Sequence, residues 1–232
     1  MTNRTCLVIG ASGSIGTEIV TTFVDEGYEV WSSSRSTGQV SSQVVQLIGE
    51  TESDIASLSA GPAFDAVVWA QGVNQNDSII DVDLEKFEWV MSANTVFVLA
   101  TLRSLIDSQK LATGARLCIV SSIWQEVMRT NKLSYSISKA AVGALVKSCA
   151  IDLAKFGFLI NAVLPGVLET PMTRSVLSDE QLRNVQSATD FNRLVTPAEV
   201  ARLVLFLCSL SNTAVTGQSI IVDLGFSNVR SI

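Results

Sequence analysis

Short apolar runs alternate along this chain with longer stretches whose apolar residues recur at helical spacing. Thr5–Ile9, Glu29–Ser32, Ala66–Trp69, Leu117–Ser121, Phe158–Val163 and Ser219–Val222 read as strands. Most are continuously apolar rather than alternating, the pattern of strands covered on both faces. Between them, Ile15, Ile19 and Phe23 share one helical face, with Val20 and Val24 alongside. Ala140–Ala154 and Pro197–Leu210 also carry helical spacing. The serine-rich Ser32–Gln43 reads as a loop entering a helix. Repeated strand–helix–strand units predict an α/β fold, a doubly wound parallel sheet with helices on both faces in three α/β/α layers. The 232 residues show no internal repeat and no linker, so the pattern implies a single domain over residues 1–232.

Composition sharpens this picture by exclusion. Charged residues make up 16% and hydrophobic ones 47%, against about 25% charged in an average soluble domain. Such a chain is expected to bury subunit contacts as well as a core. A formal charge of −6 without a basic cluster speaks against nucleic acid or an anionic membrane as partner. No signal peptide or apolar run of membrane length is read, so the expected location is cytoplasmic. Histidine is absent. That removes Ser-His-Asp and Cys-His nucleophiles, histidine metal sites and a histidine general base. Cys6, Cys118, Cys149 and Cys208 are widely spaced in apolar surroundings and read as free buried thiols, with no metal site.

Candidate chemistry begins at Gly10-Ala11-Ser12-Gly13-Ser14-Ile15-Gly16, between the first strand and the first helix. Glycines there permit a tight turn and a close backbone approach to a pyrophosphate, whose charge the helix N-terminus stabilises. Ser12 and Ser14 offer hydroxyls, and Ser14 is placed to cap the helix. After the second strand, where an acid would bond an adenosine ribose 2′-hydroxyl, the chain has Ser32-Ser33-Ser34-Arg35. Arg35 and Ser34 suit a 2′-phosphate instead, which favours NADP(H) over NAD.

Tyr135 and Lys139 lie four apart at the start of a helical stretch and so share a face. A phenol has a pKa of about 10, and lowering it by about three units takes roughly 4 kcal/mol. A neighbouring ammonium and the positive ring of an oxidised nicotinamide act in that direction, which suits Tyr135 to exchanging a hydroxyl proton. Ser122, at the carboxyl end of a buried strand, is placed on the ligand side of the sheet to hydrogen-bond a substrate oxygen.

On these residues the chain resembles the short-chain dehydrogenase/reductase family in its single-domain branch. The likeness covers the glycine turn, the Ser122/Tyr135/Lys139 set, Asn161–Met172 and Thr216–Gly225. It implies a seven-stranded Rossmann sheet, a small alcohol or ketone substrate and assembly into homodimers or homotetramers. It implies that Asn94 holds a water in a proton relay to Lys139. It also places Ile15, Ala70, Gln71, Gly72, Val167 and Thr170 beside the cofactor, and a substrate lid at about 167–191.

The chain departs from the family pattern in places. Gly10, Gly13 and Gly16 are evenly spaced, as in the nucleotide-sugar-modifying branch, which leaves an epimerase or dehydratase with retained nicotinamide as an alternative. A non-catalytic dinucleotide sensor is the other. Trp69-Ala70-Gln71-Gly72 replaces the usual Asn-Asn-Ala-Gly, and Leu47–Glu50 lacks an adenine-side aspartate, with Glu50 or Asp54 as possible substitutes. Trp124, Met128, Val73, Leu168 and Met172 form a candidate apolar wall for the substrate, Trp124 and Met128 being equally suited to a subunit interface. Asn74, Gln75, Asn76, Asp77, Gln125 and Glu126 are candidate hydrogen-bonding partners for a polyhydroxylated one.

Overall fold

Strand β1 (Thr5–Ile9) is buried along its whole length because its two faces feed two separate cores. Leu7 and Ile9 point into one, Cys6 and Val8 into the other. The same alternation runs through β4 (Phe64–Trp69), β5 (Leu111–Val120) and β6 (Leu159–Pro165). Apolar partners on both sides account for the nearly unbroken apolar runs. The buried exception in β6, Asn161, is hydrogen-bonded, donating to the Val215 carbonyl at 2.8 Å and accepting from the Gln218 amide at 3.1 Å. The computed structural model describes residues 4–34, 44–48, 61–170, 173–174 and 178–228; for Ser34 and 44–48 it describes the backbone.

With β2 (Glu29–Ser34), β3 (Val44–Ile48) and β7 (Ser219–Val222) the sheet has seven strands in the order β3-β2-β1-β4-β5-β6-β7, all parallel. Among the described residues the helices are α1 (Ser14–Asp25), α2 (Leu84–Met91), α3 (Phe97–Asp107), α4 (Leu133–Leu153), α5 (Asp179–Gln186) and α6 (Pro197–Cys208). Helices α1 and α6 cover the Cys6/Val8 face, while α3 and α4 cover the Leu7/Ile9 face. The doubly wound, three-layer expectation therefore holds. Strand order reverses between β1 and β4, and the crevice at their carboxyl ends is where such sheets take ligands.

Three local expectations are corrected. A strand, β3, follows the serine-rich stretch where the sequence predicts a helix, pairing Val30 with Val44 and Ser34 with Ile48. Five residues rich in β-branched side chains are too few to show a period. Helix α4 starts at Leu133, two residues before the helical stretch read from Tyr135 and ahead of the apolar periodicity read from Ala140, because its first turns bury serines (Ser134, Ser136 and Ser138) instead of apolar residues. Finally, α2, a π turn at Ser92–Val96 and α3 form one helical stretch, Leu84–Asp107, long and apolar enough by length and composition to cross a membrane. Its buried apolar residues, Val90, Val98, Leu102 and Leu105, face the protein interior.

Candidate active site

The glycine turn is shaped by missing side chains. Gly10, at φ +82°, lies so close to β4 that a Cβ there would meet the Gln71 backbone nitrogen at 2.5 Å. A Cβ on Gly16 would meet the Gly10 carbonyl oxygen at 2.2 Å. Those two glycines join the first turn of α1 to β1 and β4 at the point of strand reversal. Gly13 differs. Its hypothetical Cβ touches nothing closer than 3.7 Å.

Gly13 is also the N-cap of α1, with no side-chain capping bond and no acid in the first turn. The expectation that Ser14 caps this helix is thus corrected: Ser14 is its first helical residue, and Ser12 and Ser14 are both exposed. An uncapped first turn leaves backbone donors and the positive helix end directed at solvent. Beside it, both polar atoms of the Gln71 side chain are buried without a hydrogen-bond partner. Bare donors, a backbone cradle and an orphaned amide fit a dinucleotide phosphate and its ribose. Ala70 continues the sheet, donating from its amide to the Ile9 carbonyl at 2.8 Å. Trp69, standing where the family has asparagine, is fully buried and donates its indole N–H to Thr101 Oγ1 at 2.7 Å, tying β4 to α3. Ser34 ends β2; Arg35, Glu50, Asp54 and Met172 lie outside the described residues.

At the other end of the crevice, Ser122 leaves β5 in extended conformation and caps a short 3₁₀ turn, Ile123–Gln125, accepting from the Trp124 amide at 3.3 Å. Its hydroxyl also faces the Tyr135 phenol and acts to lower that group's pKa. Lys139 is 3% exposed, donates to the Val120 carbonyl at 3.3 Å and holds its ammonium 5.6 Å from the Tyr135 ring centre. The helical face thus brings Ser122, Tyr135 and Lys139 together.

The electrostatic balance is not the one expected. Burial, the larger effect, raises the Tyr135 pKa, and the Ser122 hydroxyl only partly offsets it. Burial also lowers Lys139 to about 8, because desolvation disfavours the ammonium. Protein groups alone therefore keep the phenol protonated at neutral pH.

Asn94 occupies the middle of the π turn between α2 and α3, a distortion that often marks functional sites. Its Oδ1 accepts from the Val73 amide at 2.8 Å, and its Nδ2 donates to the Val73 carbonyl and to Ser138 Oγ, both at 2.9 Å. Ser138 Oγ in turn donates to the Tyr135 carbonyl at 2.7 Å. Gly72 closes the group, since a Cβ there would lie 3.3 Å from Asn94 Oδ1 and 3.4 Å from Lys139 Nζ.

The family model described as enoyl-(acyl carrier protein) reductase matches residues 59–227. The chain belongs to the short-chain dehydrogenase/reductase family. It is similar to a glucose 1-dehydrogenase of Gluconobacter oxydans, 31% identical over 95% of this chain and 91% of that one. A cyclopentanol dehydrogenase of Comamonas sp. is 33% identical over 73% and 68% of the two chains. Among solved structures, a short-chain dehydrogenase family protein of Francisella tularensis superposes with a TM-score of 0.90 at 25% identity, covering 97% of this chain and 99% of that one. This short-chain dehydrogenase/reductase is accordingly an oxidoreductase of alcohol and ketone groups on a fold that holds a nicotinamide dinucleotide.

Two residues with structural work at this site escape the sequence pattern. Asp77, by sequence a candidate substrate ligand, is 5% exposed and accepts from the Ser134 amide at 2.9 Å and from the Ser134 hydroxyl. Its carbonyl accepts from the Leu133 amide at 3.1 Å. Asp77 thus caps α4 from outside, since Lys132 at the N-cap position makes no side-chain capping bond. Gln125 is likewise committed, donating to Ser219 Oγ at 2.8 Å and to Glu126 Oε1 at 2.9 Å. The second is Lys132, whose ammonium donates to Asn74 Oδ1 at 2.7 Å and Asn76 Oδ1 at 2.5 Å. Of the candidate apolar wall, Trp124 is half-buried under the Arg129 guanidinium, while Met128 is 67% exposed.

Val167 and Thr170 lie where the chain leaves β6. Gly166 abuts Asp223, Leu168 bridges to Val195, and Thr170 is buried with its hydroxyl against that of Thr173.

Proposed function

We propose that this chain interconverts a secondary alcohol and a ketone with NADP(H), Tyr135 exchanging the hydroxyl proton. The observation that carries the reading is the junction of the Ser122 hydroxyl, the Tyr135 phenol and the buried Lys139 ammonium on one face of α4. A bound nicotinamide dinucleotide supplies or accepts the hydride. Gly10, Gly16 and the open start of α1 form its phosphate cradle, with Gln71 and Thr170 along its length.

Tyr135, held protonated by burial, donates to a carbonyl oxygen that Ser122 also hydrogen-bonds. In this state Tyr135 is the proton donor that carbonyl reduction requires. Lys139 stabilises the phenolate left behind. Asn94 braces the loop at Val73 and the helix at Ser138, in position to order a relay beside Lys139. The segment at about 167–191 serves as the substrate lid, and one domain carries the whole site.

Arg35 is assigned to the ribose 2′-phosphate on the serine-rich end of β2, which has no acid to repel that phosphate. Exposed Trp89, Val96, Leu99, Ile137 and Ile151 on α2–α4 support self-association as a homodimer or homotetramer, which light scattering reads directly. Four free cysteines fit a reducing, cytoplasmic setting. The test is a fluorescence titration with NADPH and with NADH, followed by carbonyl-dependent oxidation of the reduced cofactor. Selective NADPH binding that Arg35→Glu abolishes supports the reading. Preference for NADH removes the 2′-phosphate assignment, and binding without turnover of any ketone removes the oxidoreductase mechanism.

A further inference from the structure

Two ammonium groups flank the Tyr135 ring, and the mechanism uses only one. Lys139 is buried, 5.6 Å from the ring centre; Lys132 is half-buried, 5.7 Å from it. Lys132 ends the segment that runs from Ser122 to α4, and Arg129 of the same segment lies over the Trp124 ring at 5.6 Å. Among the described residues, neither cation has a carboxylate within ion-pair distance. Asp77 is the one acid that favours the charged form of Lys132, and its carboxylate is engaged by Ser134. The Lys132 ammonium is instead held by two neutral amides, Asn74 and Asn76. A lysine has three N–H donors. Two are used here, which orients the group and leaves one donor and the full charge for a ligand.

A partly desolvated cation with no carboxylate in contact is costly to keep unless a ligand completes it. This one stands beside the proposed proton donor in a chain with net charge −6. We infer that the substrate is a compact oxo or hydroxy acid, whose carboxylate binds Lys132 while its carbonyl or hydroxyl oxygen meets Tyr135 and Ser122. The inference rests on the proposed role of Tyr135 and adds the substrate class. An ammonium 5.7 Å from the ring centre suits a short substrate whose carboxylate stands near its reacting oxygen. That favours a small acid over a phosphate at the far end of a carrier. Arg129 adds positive potential at the rim.

The experiment compares 3-oxobutanoate with its methyl ester, in the wild-type chain, in Lys132→Gln and in Lys132→Arg. Gln keeps hydrogen-bonding capacity without charge, and Arg keeps the charge. In the wild type, kcat/KM should favour the acid by about ten- to hundredfold, the contribution of a charge-assisted hydrogen bond. The acid-to-ester ratio should collapse in Lys132→Gln and largely return in Lys132→Arg. A ratio unchanged in Lys132→Gln, with both rates lowered alike, would mean that Lys132 only braces the Asn74–Asn76 loop, and would overturn the inference. So would a wild-type preference for the ester. Binding of 3-oxobutanoate to the NADPH complex of Tyr135→Phe, read by nicotinamide fluorescence, tests the same contact without turnover. Binding lost on adding Lys132→Gln supports the site, and no binding at millimolar concentration sinks it. Turnover of esters and neutral ketones with indifference to the carboxylate would leave the oxidoreductase reading intact and remove only this one.

Discussion

Helices α1 and α4 both begin at the carboxyl edge of the sheet, yet their first turns are treated in opposite ways. The start of α1 is open: glycine at the N-cap, no capping side chain, exposed serines on either side. That of α4 is closed, with Asp77 reaching across from the loop after β4 to cap Ser134, and Ser134, Ser136 and Ser138 buried around it. An open turn keeps its donors and helix dipole for an anion. A closed turn uses those donors internally and gains a fixed position for the residues it carries. Tyr135 is the third residue of α4, so its phenol inherits that precision. One site thus needs a helix end that binds and a helix end that positions.

The largest expected effect tests the positioned end. Tyr135→Phe removes the exchangeable proton alone, so kcat should fall by about 10²- to 10⁴-fold with dinucleotide affinity near that of the wild type. Retention of most activity would remove Tyr135 from the mechanism. At the open end, Gly13→Asp gives α1 its own cap and sets a carboxylate where a phosphate is expected. Dinucleotide affinity should fall more than about tenfold, while thermal stability rises slightly, since Asp exceeds Gly as an N-cap by only a few tenths of a kcal/mol. Unchanged affinity would show that phosphate does not bind there.

Asp77→Ala breaks the closed end and leaves buried donors unpaired. A loss of about 1–3 kcal/mol by denaturant unfolding is expected, with kcat falling more than cofactor affinity. Asp77→Asn, which keeps one acceptor, should recover part of both. A kcat unaffected by either change would separate the cap from catalysis.

Lys139→Met removes the buried ammonium. Its pKa is lowered from 10.5 to about 8 by burial. The charge therefore costs folding about 3 kcal/mol at most below pH 8, and the cost vanishes as pH rises to the unfolded value. The variant should be inactive yet more stable than the wild type at pH 7, with the gap narrowing from pH 8 to 10.5. A variant less stable at pH 7 would show that packing and the Val120 hydrogen bond outweigh desolvation.

Features that depend on neighbours along the chain were legible from residue order. Unbroken apolar runs marked strands covered on both faces, and glycines at 10 and 16 marked a turn without room for side chains. The i,i+4 spacing of Tyr135 and Lys139 put them on one face because helical geometry is local. Contacts between distant segments were not legible. Ser134, Ser136 and Ser138 look like poor helix interior until the loop carrying Asp77 closes over them. Lys132 looks like a solvated charge until folding sets Asn74 and Asn76 against it and Tyr135 beneath it. Trp69 stands where the family has asparagine, and its bond to Thr101 depends on α3 crossing β4. The sequence predicts a Tyr135 phenol lowered jointly by Lys139 and an oxidised nicotinamide ring, but the protein's own contribution is burial, which raises the phenol's pKa and lowers that of Lys139. Spacing reports which side chains share an element. Burial, and the charge state that follows from it, is set by what other elements bring against them.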